Sequence, residues 1–355
     1  MAKVKVALIM AGGTGGHIFP GIALAEQLRE KGWQVHWLGA PGNMEERIAA
    51  EHQLPFEPVN FSGLRGKGFL PWLRLPVHLF KAFAQSYRVL RRLRPQVVLG
   101  MGGYITFPAG IVAKFLGIPL YLHEQNSIAG MSNKVLAIFA SKVFTAFPQV
   151  FKRGHWVGNP LRLAFSSFPS AAERYAQRQG PLQILVMGGS LGAQALNQSV
   201  PQALALIPEQ QRPQVTHQGG EKQIAALRDN YARAGVEAEL LPFIQDVAGS
   251  MARADLLICR AGASTVCEVA AIGVAALFVP YPHAVDDHQT ANAHYLADAD
   301  GAILCPQNEF TPEYLADVLQ KMSREQLKKM AMQAKSMHRA GAAESMALEC
   351  EGLLA

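Results

Sequence analysis

Short apolar runs that end in glycine clusters recur along this chain, with helically spaced stretches between them. The first run, Val4 to Ala11, is closed by Gly12-Gly13-Thr14-Gly15-Gly16-His17. A near copy stands mid-chain: Ile184-Leu185-Val186-Met187, then Gly188-Gly189-Ser190-Leu191-Gly192. Short, mostly apolar runs of this kind fit strands buried on both faces. Similar runs stand at Val35 to Leu38, Val97 to Leu99, Leu120 to Leu122 and Val143 to Thr145. The second half predicts strands near 183–187, 214–217, 239–243, 255–259, 275–279 and 302–305. Helical spacing runs from Gly21 to Lys31, stopped by Gly32, and from Lys134 to Ala140. Regular alternation of strand and helix predicts a doubly wound parallel sheet in each half. Ligands of such sheets bind at the carboxyl ends of the strands. Gly158-Asn159-Pro160 punctuates the boundary. The expected division is a first domain at 1–159 and a second at 160–337, with a C-terminal helix, 338–355, packing back on the first.

A strand feeding a glycine loop and then a helix binds phosphate, because backbone N–H groups and the positive end of the helix dipole point at the anion. Two such loops predict two similar domains facing one deep cleft. The first loop is neither a dinucleotide fingerprint nor a P-loop. Ile18 stands where the last glycine of GxGxxG belongs, and no Gly-Lys-Ser/Thr follows. His17 follows the glycines directly and has a near-neutral pKa suited to proton transfer. A third loop, Gly100-Met101-Gly102-Gly103-Tyr104, should lie beside the first. His123-Glu124-Gln125-Asn126 ends the next strand, and Glu124 offers a second candidate base or an orienting group.

In the second half, Cys259-Arg260-Ala261-Gly262-Ala263-Ser264-Thr265-Val266-Cys267-Glu268 follows a strand. Ser264 or Thr265 can cap the helix, and Glu268, one turn on, can accept both hydroxyls of a ribose. Gln289 and Asn292 share a helix face, and their amides suit sugar hydroxyls. Asp298-Ala299-Asp300 reads as a helix C-terminal turn, so no metal is expected.

Residues 69–92 combine Trp72, Leu75, Leu79, Phe80 and Phe83 with Lys81 and several arginines. Two apolar stripes, one of Val77, Phe80, Ala84 and Tyr87 and one of Leu75, Leu79, Phe83 and Leu90, are wider than one buried face needs. Basic residues among Trp and Phe describe a segment lying on an anionic membrane surface.

Composition narrows the classes. The chain has 355 residues, enough for two domains, and a net charge of +6, which favours anionic partners. Nucleic acid is the weakest of these, since no nucleic-acid-binding motif is present. The four cysteines lack CxxC spacing, which fits a reducing cytoplasm. Neither a signal peptide nor an apolar run long enough to span a membrane is expected.

The glycine loops, Ser62-Gly63-Leu64-Arg65-Gly66-Lys67-Gly68, His123 to Asn126, Gly158-Asn159-Pro160, Gly262 to Glu268 and Gln289 to Asn292 occur in an order that resembles the MurG family of peptidoglycan glycosyltransferases. The resemblance spans nearly the whole chain. It implies a GT-B fold of two Rossmann-like domains and transfer of N-acetylglucosamine from UDP-N-acetylglucosamine to lipid I, an undecaprenyl-diphosphate muramyl peptide, giving lipid II. It implies donor contacts from Thr14, Gly15, Gly16, Asn126, Arg162, Ser190, Ile244, Ala263, Ser264, Thr265, Val266, Cys267, Glu268, Gln289 and Asn292. It assigns the acceptor diphosphate to Gly12, Gly13, Gly102, Gly103 and Tyr104, and catalysis to His17 or Glu124. It implies no cofactor, a peripheral place on the cytoplasmic face of the bacterial inner membrane, and allows for contacts with other cell-wall synthesis or division proteins. Leu191 departs from the family pattern by offering no polar contact, and the loop His283 to His288 is one residue longer. Rival readings are another GT-B lipid glycosyltransferase, a UDP-N-acetylglucosamine epimerase, or a sugar-nucleotide binding protein without catalysis.

Overall fold

The computed structural model describes residues 4–61, 70–189 and 191–354; for 70–74 and 285 it describes the backbone alone. The chain forms two units, Met1–Arg162 with Arg339–Ala355, and Leu163–His338. In the first, β1 (Val6–Met10), β2 (Gln34–Gly39), β3 (Phe56–Pro58), β4 (Val97–Gly100), β5 (Leu120–Glu124), β6 (Lys142–Thr145) and β7 (His155–Trp156) form a parallel sheet in the order β3-β2-β1-β4-β5-β6-β7. In the second, β8 (Gln183–Met187), β9 (Gln214–Gln218), β10 (Glu239–Leu241), β11 (Leu256–Cys259), β12 (Ala275–Phe278) and β13 (Ala302–Leu304) are ordered β10-β9-β8-β11-β12-β13.

β1, β11 and β12 are apolar at every position because both faces are covered. In β1, Ala7 and Ile9 join a cluster with Trp37 and Leu99, while Leu8 and Met10 join the opposite cluster with Leu38 and Val98. Ile18, Ile22 and Leu28 of helix Gly15–Glu30 cover the first face, together with Met346, Ala347 and Cys350 of helix Ala342–Glu351. That last helix is tied to its unit by Lys5 to Glu351 at 2.8 Å and by an ion pair between Lys142 and Glu349. Helices Leu70–Leu93, Thr106–Phe115 and Met131–Leu136 cover the other face.

Several elements differ from the sequence pattern. The first helix starts at Gly15 rather than Gly21 and carries Pro20 inside it. Thr14 makes this possible: its carbonyl accepts from the N–H groups of His17 and Ile18 at 3.1 and 3.2 Å. The helix expected at Lys134 to Ala140 runs Met131–Leu136 instead. The strands β3 and β7, three and two residues long, carried no legible pattern.

In the second unit a buried carboxylate anchors the edge of the sheet away from the loops. Asp255 accepts from Arg178 Nη1 at 2.9 Å, Arg324 Nη2 at 3.1 Å and the Gln183 N–H at 2.8 Å. Tyr175 donates to the Asp255 carbonyl at 2.6 Å. These bonds fasten the segment that enters the unit and helix Arg324–Ser336 to the starts of β8 and β11. Removing one partner of such a group leaves buried charge uncompensated. Asp255→Ala is therefore expected to destabilise this unit by about 3–5 kcal/mol in urea unfolding, with Asp255→Asn costing less.

Candidate functional site

Strand register brings the loops of the first unit together. Met10 pairs with Gly100, and the Met101 N–H donates to the Met10 carbonyl at 2.8 Å, so the loops after β1 and β4 lie side by side. Gly102 and Gly103 have φ of +103° and +90°, where a side chain would be strained. A Cβ on Gly103 would collide with the Gly12 carbonyl oxygen. A Cβ on Gly102 would stand 2.7 Å from His17 Cδ2 and 3.0 Å from Nε2, so the imidazole lies across Gly102. His17 Nδ1 is 3.1 Å from the Gly12 carbonyl oxygen and 3.5 Å from Thr14 Oγ1. A proton on Nδ1 satisfies the carbonyl, and in that tautomer Nε2 is the basic nitrogen. Gly12, Gly13, Thr14, Gly15, Gly16, His17, Gly102, Gly103 and Tyr104 thus gather at the carboxyl ends of two adjacent strands.

Gly100 also pairs with Leu122, which places the end of β5 next in line. Glu124 is 2% exposed. Its Oε1 accepts from the Asn126 N–H and Asn126 Nδ2 at 3.0 and 3.3 Å. Its Oε2 accepts from the Gly130 N–H and Asn133 Nδ2 at 3.0 and 2.9 Å. Four donors occupy this carboxylate, so it holds the loop that carries Asn126. That arrangement favours His17 over Glu124 as the proton acceptor. Arg162 lies with its guanidinium carbon 5.2 Å from the Phe19 ring centroid.

The second unit repeats the device. Met187 pairs with Cys259, which sets the Gly188-Gly189 loop beside the Arg260 to Gly262 loop. Ser190 lies outside the described residues. A Cβ on Gly192 would collide with the Gly219 carbonyl oxygen, another backbone approach that only glycine permits. Gln218 Nε2 donates to the Gly189 carbonyl at 2.9 Å and to the Pro242 carbonyl at 3.3 Å, linking this loop to the segment before Ile244. Helix Ala263–Ile272 starts from Gly262, and no side-chain bond caps it. The Ser264 hydroxyl in its first turn is buried without a protein partner. Thr265 and Glu268 are half-buried on the same helix.

Some candidates sit differently from expectation. The side chains of Ala263, Val266 and Cys267 are interior, so only their backbone can meet a ligand. Burial pushes the Cys267 thiol well above its ordinary value, which suits packing and not nucleophilic chemistry. Asn292 is fully buried and donates to the Ala261 carbonyl at 3.2 Å, and Gln289 Oε1 accepts from the Tyr281 N–H at 2.9 Å. Both amides brace loops as well as sharing a helix face. Arg260, for which no role was legible in the sequence, donates to the carbonyls of Val279 and Pro280 at 2.9 and 3.1 Å and to Gln307 Oε1 at 2.6 Å.

On helix Leu70–Leu93 the two stripes part. Phe83 and Leu90 pack on the core, whereas Val77, Phe80 and Tyr87 face outward, Phe80 at 74% exposure, with Lys81 also exposed. Phe83 is half-buried, packed against the core rather than turned fully outward. Leu75 and Leu79 are half-buried, and the Trp72 side chain and the motif at 62–68 lie outside the described residues. Among the described residues no helix is long and apolar enough to cross a membrane, and no group of three or more His, Cys, Asp or Glu converges as a metal site would require.

The model of the glycosyltransferase family 28 N-terminal domain matches residues 7–145, and that of its C-terminal domain matches 183–347. The chain is 58% identical over 355 residues to a Paracidovorax citrulli protein named UDP-N-acetylglucosamine--N-acetylmuramyl-(pentapeptide) pyrophosphoryl-undecaprenol N-acetylglucosamine transferase, covering 100% of both chains. A protein of the same name from Albidiferax ferrireducens is 59% identical over 350 residues, covering 97% of this chain and 90% of that one. The crystal structure of Acinetobacter baumannii MurG superposes with a TM-score of 0.86 at 40% identity, covering 98% of this chain and 99% of that one. A UDP-GlcNAc 2-epimerase from Neisseria meningitidis shares the fold alone, with a TM-score of 0.67 at 11% identity.

Behind the loops of the first unit, His123 Nε2 stands 2.9 Å from the Gly158 carbonyl, and burial pushes the ring down to about 4 from its ordinary 6.5. Burial likewise lowers His217 to about 3. Unfolded chains take up these protons first as pH falls, so the neutral rings contribute their full stability above 6.5 and lose it on the way to about 4 for His123 and about 3 for His217. Scanning calorimetry is expected to show a falling midpoint across that window. A midpoint that stays flat there would contradict the assignment.

Proposed function

The chain belongs to glycosyltransferase family 28, and from that membership we infer its reaction: transfer of N-acetylglucosamine from UDP-N-acetylglucosamine to the muramyl sugar of an undecaprenyl-diphosphate-linked acceptor, lipid I. The observation that carries the reading is the pair of phosphate-binding loops, one at the head of each sheet, with an imidazole fixed on one of them. Two diphosphate-bearing substrates need two such loops.

The first unit supports an acceptor role. The glycine loops at Gly12 to Gly16 and Gly102 to Gly103 offer backbone N–H groups to a diphosphate, and Tyr104 is exposed beside them. The second unit supports a donor role. The Gly188-Gly189 loop and the helix starting at Ala263 suit the diphosphate of UDP, Glu268 the ribose, and Gln289 the sugar. The acceptor's C4 hydroxyl oxygen attacks the anomeric carbon, and His17 Nε2 takes its proton. The bond from that carbon to the phosphate oxygen breaks with inversion, and UDP leaves with the electron pair. Helix dipoles and backbone N–H groups stabilise the charge that develops on UDP. No metal or cofactor enters this scheme. The outward stripe of Val77, Phe80 and Tyr87, with basic residues around it, supports a peripheral seat on an anionic bilayer, where a lipid-linked acceptor resides.

UDP release is expected to require a short-chain lipid I analogue and to persist in EDTA. Release without any acceptor would instead indicate an epimerase or hydrolase, and none with acceptor present would indicate a binding protein. His17→Ala is expected to cut turnover by about 10²–10⁴-fold while leaving donor affinity within a few-fold. Collapse of donor affinity with surviving turnover at saturation would remove His17 from the base role.

A further inference from the structure

A buried series of hydrogen bonds in the second unit ends on the glycine loop after β8, and its direction is fixed at every link. Asn197, on helix Gln194–Ala205, is buried, and its Nδ2 lies 3.1 Å from the Gly219 carbonyl oxygen. Only an N–H satisfies a carbonyl, so the amide turns its nitrogen to Gly219 and its oxygen to His217 Nε2, 3.1 Å away. His217 therefore carries its proton on Nε2. The ring is buried and neutral, since burial pushes it down to about 3, and Nδ1 holds a lone pair. Tyr231 Oη stands 3.0 Å from Nδ1 and donates to it. The second hydrogen on Asn197 Nδ2 goes to Gln223 Oε1 at 3.0 Å. The Gln223 nitrogen is thereby turned to the Leu191 carbonyl, to which it donates at 2.9 Å. Reversing the series would set one amide oxygen against the Gly219 carbonyl and another against the Leu191 carbonyl.

We propose that Gln223 is a positioning residue for the donor's diphosphate: its amide, aligned by Asn197, His217 and Tyr231, holds the Leu191 carbonyl so that the loop does not turn that oxygen to the phosphates. This rests on the reading of the second unit as the donor site. The peptide group between Leu191 and Gly192 is set at both ends. Its carbonyl accepts from Gln223, and the Gly192 N–H donates to the Gly189 carbonyl at 2.9 Å. Gln218 Nε2 donates to that same Gly189 carbonyl at 2.9 Å, so two loop carbonyls are held by amides from the end of β9 and the segment after it. Glycine at 192, with φ of +77°, opposes a flip of this peptide little by itself, so the bonds decide its orientation. A carbonyl oxygen turned toward a phosphate would repel it, whereas N–H groups and a helix start attract it. The helix that follows, Gln194–Ala205, has no side-chain cap at its start. The series is neutral throughout, so it orients the loop without placing a charge behind the phosphates. The links are bound to one another before any ligand arrives, which is the condition for a preorganised phosphate loop.

The test is inhibition of the full chain by UDP and by uridine, each in competition with UDP-N-acetylglucosamine. Gln223→Met keeps the volume and removes the donor to Leu191. The inhibition constant for UDP is expected to rise roughly three- to tenfold, while that for uridine, which carries no phosphate, stays within about twofold. Gln218→Met is the contrast. Its amide also holds the Pro242 carbonyl at 3.3 Å, in the segment before Ile244, so both constants are expected to rise together. Equal rises for UDP and uridine in Gln223→Met, or no rise in either, would overturn the inference, because a loosened fold does not single out the phosphates. Nitrogen NMR of the wild-type protein decides the direction of the series independently of how the variants fold. His217 is expected to be neutral with its proton on Nε2, and a proton on Nδ1 would mean the series is reversed, which also overturns it. Failure of UDP to inhibit the wild-type protein at all would show that the donor reading has failed, and the inference would fall with it.

Discussion

Gly103 approaches Gly12 so closely that no side chain can stand between them, and the geometry of the first unit's site follows from that contact. Parallel pairing of β1 with β4 brings the two loops to the same level, and left-handed backbone at Gly102 and Gly103 lets them touch. The touching backbones fix the Gly12 carbonyl, which fixes the Nδ1 side of His17, and Gly102 leaves room for the imidazole to lie flat across it. The loops offer N–H groups and the start of a helix to a diphosphate.

The second unit repeats the same device. Gly192 approaches Gly219 as Gly103 approaches Gly12, and the pairing of β8 with β11 sets a second glycine loop beside a helix start. The first unit adds an imidazole to its loops. The second adds amides and a carboxylate, Gln289, Asn292 and Glu268, which suit hydroxyl groups. The proposed function allots the chemistry to the first unit and sugar-nucleotide recognition to the second. Glu124 illustrates how a polar residue at a strand end can serve shape rather than reaction, since four donors consume it.

The central strands were legible in the sequence because each is covered on both faces and carries a run of apolar residues. The edge strands Phe56–Pro58 and His155–Trp156 were not, because two or three half-covered residues leave no pattern. The start of the first helix was hidden by Gly15, Gly16 and Pro20, poor helix formers held by bonds to the Thr14 carbonyl. The glycine loops and His17 could be read from spacing along one segment. The roles of Gln223, Arg260 and Asn292 could not, since each depends on which carbonyl a distant segment presents to it. The inward and outward stripes of helix Leu70–Leu93 were likewise indistinguishable until the core showed which one it covers.

The most direct test of this division of labour is to measure donor binding and turnover together in Gly103→Ala. An added methyl there forces the two loops of the first unit apart. Calorimetric titration is expected to give UDP-N-acetylglucosamine affinity within a few-fold of wild type, while turnover with a lipid I analogue falls by about 10²-fold or more. Wild-type turnover, or a loss of donor affinity as large as the loss of turnover, would contradict the account.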